Sequence, residues 1–147
     1  MVNVASMKGR IILFALAPFA SLAGCTASDN ELVSAYDGIG PEEVISLGGT
    51  EPFWGATITG SELTYSTPDN PDGSVTSVER FAGNGGLSFS GTLDGEALNA
   101  TVTPGECSDG MSDFSYPFTA TIMLGDALLE GCAHTDKQPK TGEETSS

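Results

Sequence analysis

Few side chains in this sequence are equipped for chemistry, and they fall in a handful of segments. Glu51-Pro52-Phe53-Trp54 holds the single Trp of the chain beside a carboxylate and a proline-fixed bend. An exposed indole next to Phe53 and Glu51 would stack on a sugar or anchor a protein partner. The plainer alternative is that Pro52 bends the chain into a strand while Trp54 plugs one end of a barrel. His134, the only His, stands two residues after Cys132. With Cys107, Met111 and Met123 it offers imidazole, thiolate and thioether, the ligand types of a Cu(I) carrier. A bond between Cys107 and Cys132 would remove both thiolates from that set. Asp69-Asn70-Pro71-Asp72-Gly73 presents hard oxygens, but Pro71 falls where a calcium loop needs a ligand, and no Glu closes the loop. Asp109 and Asp113 flank Gly110-Met111-Ser112 as a second acidic pair, and both segments are better read as turns. No metal site and no cofactor is expected.

Catalysis has little to work with. Ser-His-Asp chemistry would have to use His134, and no nucleophile elbow is present. Glu51 with Glu62, or Asp109 with Asp113, supplies carboxylate pairs whose separation a sequence does not fix. Gly83-Asn84-Gly85-Gly86 departs from the phosphate-binding glycine pattern and no helix follows it. The expectation is a non-enzymatic chain with no catalytic residue.

The beginning of the chain reads as an address. Lys8 and Arg10 precede an apolar run from Ile11 to Ala20, interrupted by Pro18. That is the arrangement of a secretory signal, and the run is shorter than the roughly 20 residues of a membrane span. Leu22-Ala23-Gly24-Cys25 resembles the bacterial lipobox, which predicts cleavage after residue 24 and acylation of Cys25. Two or more acyl chains anchor a protein stably where one does not, so the lipid bilayer becomes the first expected partner. Thr26, rather than Asp, follows the lipidated position, which favours the periplasmic face of the outer membrane over the inner membrane. Lipidation also resolves the odd number of cysteines, 3 in all. Cys107 and Cys132 remain as an even pair in an oxidising compartment. Their disulfide would close a loop of about 26 residues, worth about 3.5 kcal/mol in the chain-entropy picture. A redox-active or metal-binding pair is the rival, but there is no Cys-x-x-Cys.

Charge narrows the partners. Lys and Arg number 5 against 20 Asp and Glu, and loss of the signal leaves only Arg80, Lys137 and Lys140 as basic residues. Such a surface excludes nucleic acid, whose phosphates need a basic face. It would be steered instead towards a basic protein.

The elements that must position these residues are strands. Trp54, Ala56 and Ile58 alternate with Thr57 and Thr59; Phe118, Ala120 and Ile122 alternate with Thr119, Thr121 and Met123. Asp94-Gly95 is a strong hairpin turn between Leu87–Leu93 and Ala97–Thr103. Gly60-Ser61, Pro68 to Gly73 and Gly125-Asp126 punctuate the rest. The pattern predicts an all-β fold, a small antiparallel meander closing into a barrel so that no edge is left open. A β-sandwich is the alternative, with at most one short helix from Pro41. The expected organisation is a signal over residues 1–24, an acidic tether over 25–40, a β-domain over 41–133, and a disordered polar tail over 134–147.

Gly49-Thr50-Glu51-Pro52-Phe53-Trp54, together with Cys107 to Asp113, Tyr116-Pro117 and Leu129-Glu130-Gly131-Cys132-Ala133, resembles a family of uncharacterised bacterial envelope lipoproteins. That family carries a Gly-x-Glu-Pro-Phe-Trp motif and a late Gly-Cys-Ala. The resemblance spans roughly residues 47–133 and implies an exported β-domain; it brings no enzymatic activity with it. The leading expectation is therefore a membrane-anchored periplasmic lipoprotein with a binding or structural β-domain. The alternatives are an acidic inhibitor of a cationic cell-wall hydrolase such as lysozyme, and an envelope copper binder.

Overall fold

The computed structural model describes residues 34–143. Eight strands follow one another: β1 (Ile45–Thr50), β2 (Phe53–Thr59), β3 (Glu62–Thr67), β4 (Asn70–Ala82), β5 (Leu87–Leu93), β6 (Glu96–Ser108), β7 (Ser115–Leu124) and β8 (Ala127–Thr135). Each pairs antiparallel with the next, and β8 returns to β1, so the meander closes into a barrel rather than splitting into a sandwich. No helix forms among the described residues, and Pro41-Glu42 makes a turn instead.

Period-two alternation sorts the side chains. Leu47, Ala56, Ile58, Leu63, Phe89, Leu98, Ala100, Val102, Phe118 and Ile122 point inward and are buried. Thr57, Ser90, Asn99, Thr101 and Thr119 alternate with them and face outward. Asp94 and Gly95 both take positive φ, 50° and 87°, the backbone that a two-residue hairpin of this hand requires.

The join between first and last strands is the unusual part. β1 pairs with β8 only from Ile45↔Thr135 to Gly48↔Cys132, whereas on its other side β1 pairs with β2 as far as Thr50↔Phe53. Past Gly48 the strands lie too close for side chains. A Cβ on Gly131 would collide with the Gly48 carbonyl oxygen, and one on Gly49 with the Trp54 indole and the Glu130 carbonyl. Here the Trp54 Nε1–H donates to the Glu130 carbonyl at 3.3 Å, standing in for a ladder bond.

A second device crosses the same join from outside. β6 and β7 form the longest hairpin, and their register shifts between Pro104 and Cys107. β7 leaves β8 at Phe118↔Ala133, and the far end of the hairpin swings over the outer wall. Ala133 points into the core, so Cys132 beside it faces outward, where it is bonded to Cys107 with the Cα atoms 5.6 Å apart. Thr50 Oγ1 donates to the Asp109 carbonyl at 3.1 Å, tying the hairpin end to β1 as well. The hairpin end is a strap across the seam.

Two expected boundaries shift. The tail expected to be disordered from residue 134 is ordered as far as residue 143, and 144–147 lie outside the described residues. His134 and Thr135 complete β8, and beyond them Ser115 and Thr141 exchange two backbone hydrogen bonds while Lys140 Nζ sits 3.7 Å above the Phe114 ring. This segment lacks apolar residues because it is held by main-chain pairing and a cation–π contact rather than by core burial. The tether, expected over 25–40, is likewise folded from residue 34. Ile39 joins the core, Arg80 Nη2 donates to its carbonyl, and the Tyr36 N–H donates to the Gly83 carbonyl. One Ile and one Tyr suffice to cap a barrel end without any periodic pattern. Below this cap Glu43 accepts from the Gly40 N–H and the Thr135 hydroxyl, which together hold its carboxyl below the usual range. The signal over 1–24 and Cys25 lie outside the described residues.

The seam predicts a contrast between glycines. Gly131→Ala should destabilise the barrel by about 2–3 kcal/mol through forced backbone displacement. Gly105→Ala, where the added methyl meets only Thr119 Cγ2 at 4.0 Å, should lower the urea midpoint far less.

Candidate functional site

Strap and seam do not close flush. An open cleft of about 570 Å³ lies between them, bordered by Gly48 to Glu51 of β1 and its turn, Cys107 to Met111 of the strap, and Glu130-Gly131 of β8. A smaller hollow of about 230 Å³ adjoins it, bordered by Ser46, Trp54, Asp109, Tyr116, Cys132 and His134. Gly48, Gly49, Thr50 and Asp109 border both.

Asp109 organises the strap. Its Oδ1 accepts from the Met111 and Ser112 N–H groups at 3.0 and 2.8 Å, and its Oδ2 from Ser112 Oγ at 2.7 Å and Tyr116 Oη at 3.1 Å. These bonds, those from Ser112 foremost, hold its carboxyl far below the usual range. Tyr116 is thereby fixed over the wall, its phenol pushed upward first by burial and then by Asp109. The Tyr116 ring lies 5.9 Å from that of His134.

His134 is directly opposite Ser46 across the seam. Burial, followed by the charge of Lys140, lowers its pKa from 6.5. The imidazole is therefore neutral at physiological pH, and its Nδ1 is buried without a hydrogen-bond partner. Such a polar atom calls for a partner.

The residue types of a Ser-His-Asp triad thus meet in one hollow, as Ser46, His134 and Asp109. The geometry does not assemble one. Asp109 has both oxygens engaged by the strap, and Nδ1 receives no orienting bond. Among the described residues no hydrogen bond joins His134 to Ser46 or to Asp109.

Of the sequence-level candidates, Cys107 and Cys132 are joined, which removes both thiolates from the copper set. Among the described residues no three His, Cys, Asp or Glu are placed to hold a metal ion. Glu51 is exposed at the rim of the cleft, and the Glu51-Pro52 peptide is cis. Trp54 turns inward with 5% of its surface exposed, while Phe53 faces outward with 54% exposed. Strand alternation separates the two rings, so they do not form the single exposed aromatic patch considered above. Ser46, Asp109, Tyr116 and His134 were not grouped by sequence reasoning. The Asp109-x-x-Ser112 spacing was the available signal, since it is that of an Asx-type turn.

No family model, curated protein or solved structure matches the chain. The Gly-x-Glu-Pro-Phe-Trp resemblance accordingly rests on its motifs alone.

The titrations separate in pH. His134 has a folded pKa below its unfolded value, so as pH falls through about 6.5 the unfolded chain binds a proton that the fold refuses, and stability drops. Asp109 and Glu43 have depressed carboxyls, so their contribution is intact above about pH 4 and is lost only below it. Thermal unfolding should show Tm declining from about pH 7 to pH 5, with a flatter profile in His134→Gln, and a second, steeper decline in stronger acid in both proteins.

Proposed function

We propose that the chain is an exported, lipid-anchored binding domain, non-enzymatic, whose ligand site is the hollow between strap and seam. The observation that carries the reading is the hollow bordered by Ser46, Asp109, Tyr116 and His134, which opens into a larger cleft. His134 beside it keeps a buried Nδ1 without a partner, at a cost of about 1–3 kcal/mol that an apolar residue would avoid. The disulfide supports export, because structural disulfides persist in oxidising compartments. The basic n-region, apolar run and Cys25 support a lipid anchor, with the periplasmic face of the outer membrane as the destination. An anionic membrane surface would repel the acidic domain, leaving the lipid as the attachment.

Net charge is the support for a basic protein partner such as a cell-wall hydrolase. Asp69, Asp72, Asp94, Glu96 and Asp126 lie in or beside the β3–β4, β5–β6 and β7–β8 turns, which share one end of an antiparallel meander with the β1–β2 turn that carries Glu51. That acidic end is the face such a partner would meet.

Two measurements test the proposal. Metabolic labelling with a clickable palmitate should mark the wild type and spare Cys25→Ser; equal labelling of both removes the anchor. Titration of the isotopically labelled protein with a solubilised envelope digest should shift the amides of Gly48 to Thr50 and Cys107 to Met111. A spectrum unchanged at saturating digest removes the binding role.

A further inference from the structure

Resting on that binding role, we propose that the cleft is the centre of a docking face for a basic protein. A Lys or Arg side chain of the partner meets Glu51 and Glu130, and its apolar groups pack on the rim around them. The exposed apolar residues point to this place. Among the described residues six large hydrophobics are exposed, and four of them stand at or beside the cleft. Met111, 69% exposed, borders it on the strap side. Phe53 is paired with Thr50, which borders it on the β1 side. Leu128, 57% exposed, stands two residues before Glu130 on the same face of β8, and Met123 lies directly across from Leu128 on β7. Apolar groups collected beside polar ones in this way mark a surface that another molecule covers.

Charge selects the occupant. Glu51 and Glu130 border the cleft and are exposed, and among the described residues their carboxylates bond no other group. Asp109 adds its charge to the same cleft. The neighbouring turns continue the field: the Gly125 N–H donates to the Ala97 carbonyl, which sets Glu96 beside the turn that carries Asp126. No basic residue borders the cleft. Arg80 bonds Ile39 in the cap, Lys137 acts on Glu43 below it, and Lys140 lies over the Phe114 ring. A partner's cation therefore finds carboxylates for which no group of the chain competes.

The same charge removes other occupants. A second copy would bring its own acidic surface to this one, and nucleic acid or an anionic bilayer would be repelled. A small cation would satisfy the carboxylates and leave Phe53, Met111, Met123 and Leu128 uncovered. A basic protein covers both, its charges governing the rate of encounter and its apolar contacts the residence time.

The test uses the full mature chain, disulfide intact, in phosphocholine micelles. Lysozyme, cytochrome c and ribonuclease A serve as basic proteins, spermine as a small cation and ovalbumin as an acidic protein. At least one basic protein should shift the amides of Phe53, Met111 and Leu128, and should lose about tenfold in affinity from low to physiological salt. Glu51→Gln combined with Glu130→Gln should slow association and flatten that salt dependence. Leu128→Ser should instead speed dissociation about tenfold. Glu62→Gln combined with Glu79→Gln removes the same charge away from the cleft and should leave the affinity within about threefold of the wild type. All five positions are exposed, so each variant keeps the fold. Equal weakening by the two charge variants overturns the docking face in favour of diffuse attraction. Spermine or ovalbumin binding as tightly as the basic proteins overturns it as well. If no basic protein shifts these amides while the envelope digest shifts the cleft, the basic partner falls and the binding role stands. If the digest is silent too, both fall.

Discussion

A meander barrel makes all but one of its strand pairings through tight turns, and the last is a long-range join between its two end strands. In this protein that join, β1 with β8, is short and glycine-lined, and the remaining features of interest are arranged around it. Four residue pairs form the ladder, from Ile45↔Thr135 to Gly48↔Cys132. Where the ladder stops, the Trp54 indole bonds the Glu130 carbonyl from the core side, and the Cys107–Cys132 disulfide holds a strap against the outer side. Closing loops late in sequence is entropically expensive, and the disulfide and the indole both act at that point. The Gly49-Thr50-Glu51-Pro52-Phe53-Trp54 and Gly131-Cys132-Ala133 segments are the two sides of one join.

The same solution creates the site. A strap that crosses a twisted wall touches it at the disulfide and at the Thr50–Asp109 bond, and leaves space beside those points. His134 and Ser46 are adjacent because the seam register pairs them, and Tyr116 reaches them because Asp109 fixes its hydroxyl. The grouping of these side chains is a by-product of closure geometry, in the sense that seam register and strap anchoring determine which of them meet.

The strands were legible in the sequence because inward and outward residues alternate with little interruption, as in Phe118 to Met123, and because Asp94-Gly95 and Gly60-Ser61 mark their turns. The disulfide is legible from the cysteine count once Cys25 is set aside as the expected lipidation site. The cap and the tail were not legible, since Ile39 is a single apolar residue and the 136–143 segment is held by main-chain pairing, polar side-chain bonds of Asp136 and Gln138, and a cation–π contact, none of which leaves an apolar pattern. His134 shows why the site was missed. Two residues beyond Cys132, it reads as the first residue of a polar tail, and only the β1–β8 register turns it into a wall residue opposite Ser46. Sequence does not orient Trp54 for the same reason: alternation says that Phe53 and Trp54 face opposite ways, and the fold decides which one faces the core.

The docked cap sets the leash of the domain. The chain is already fixed to the barrel at Tyr36 and Ile39, so acylation at Cys25, as proposed, would put the lipid no further from that contact than the reach of the chain from Cys25 to Tyr36. A stretch of that length spans about 40 Å at most. A partner would then have to come to the membrane to be met.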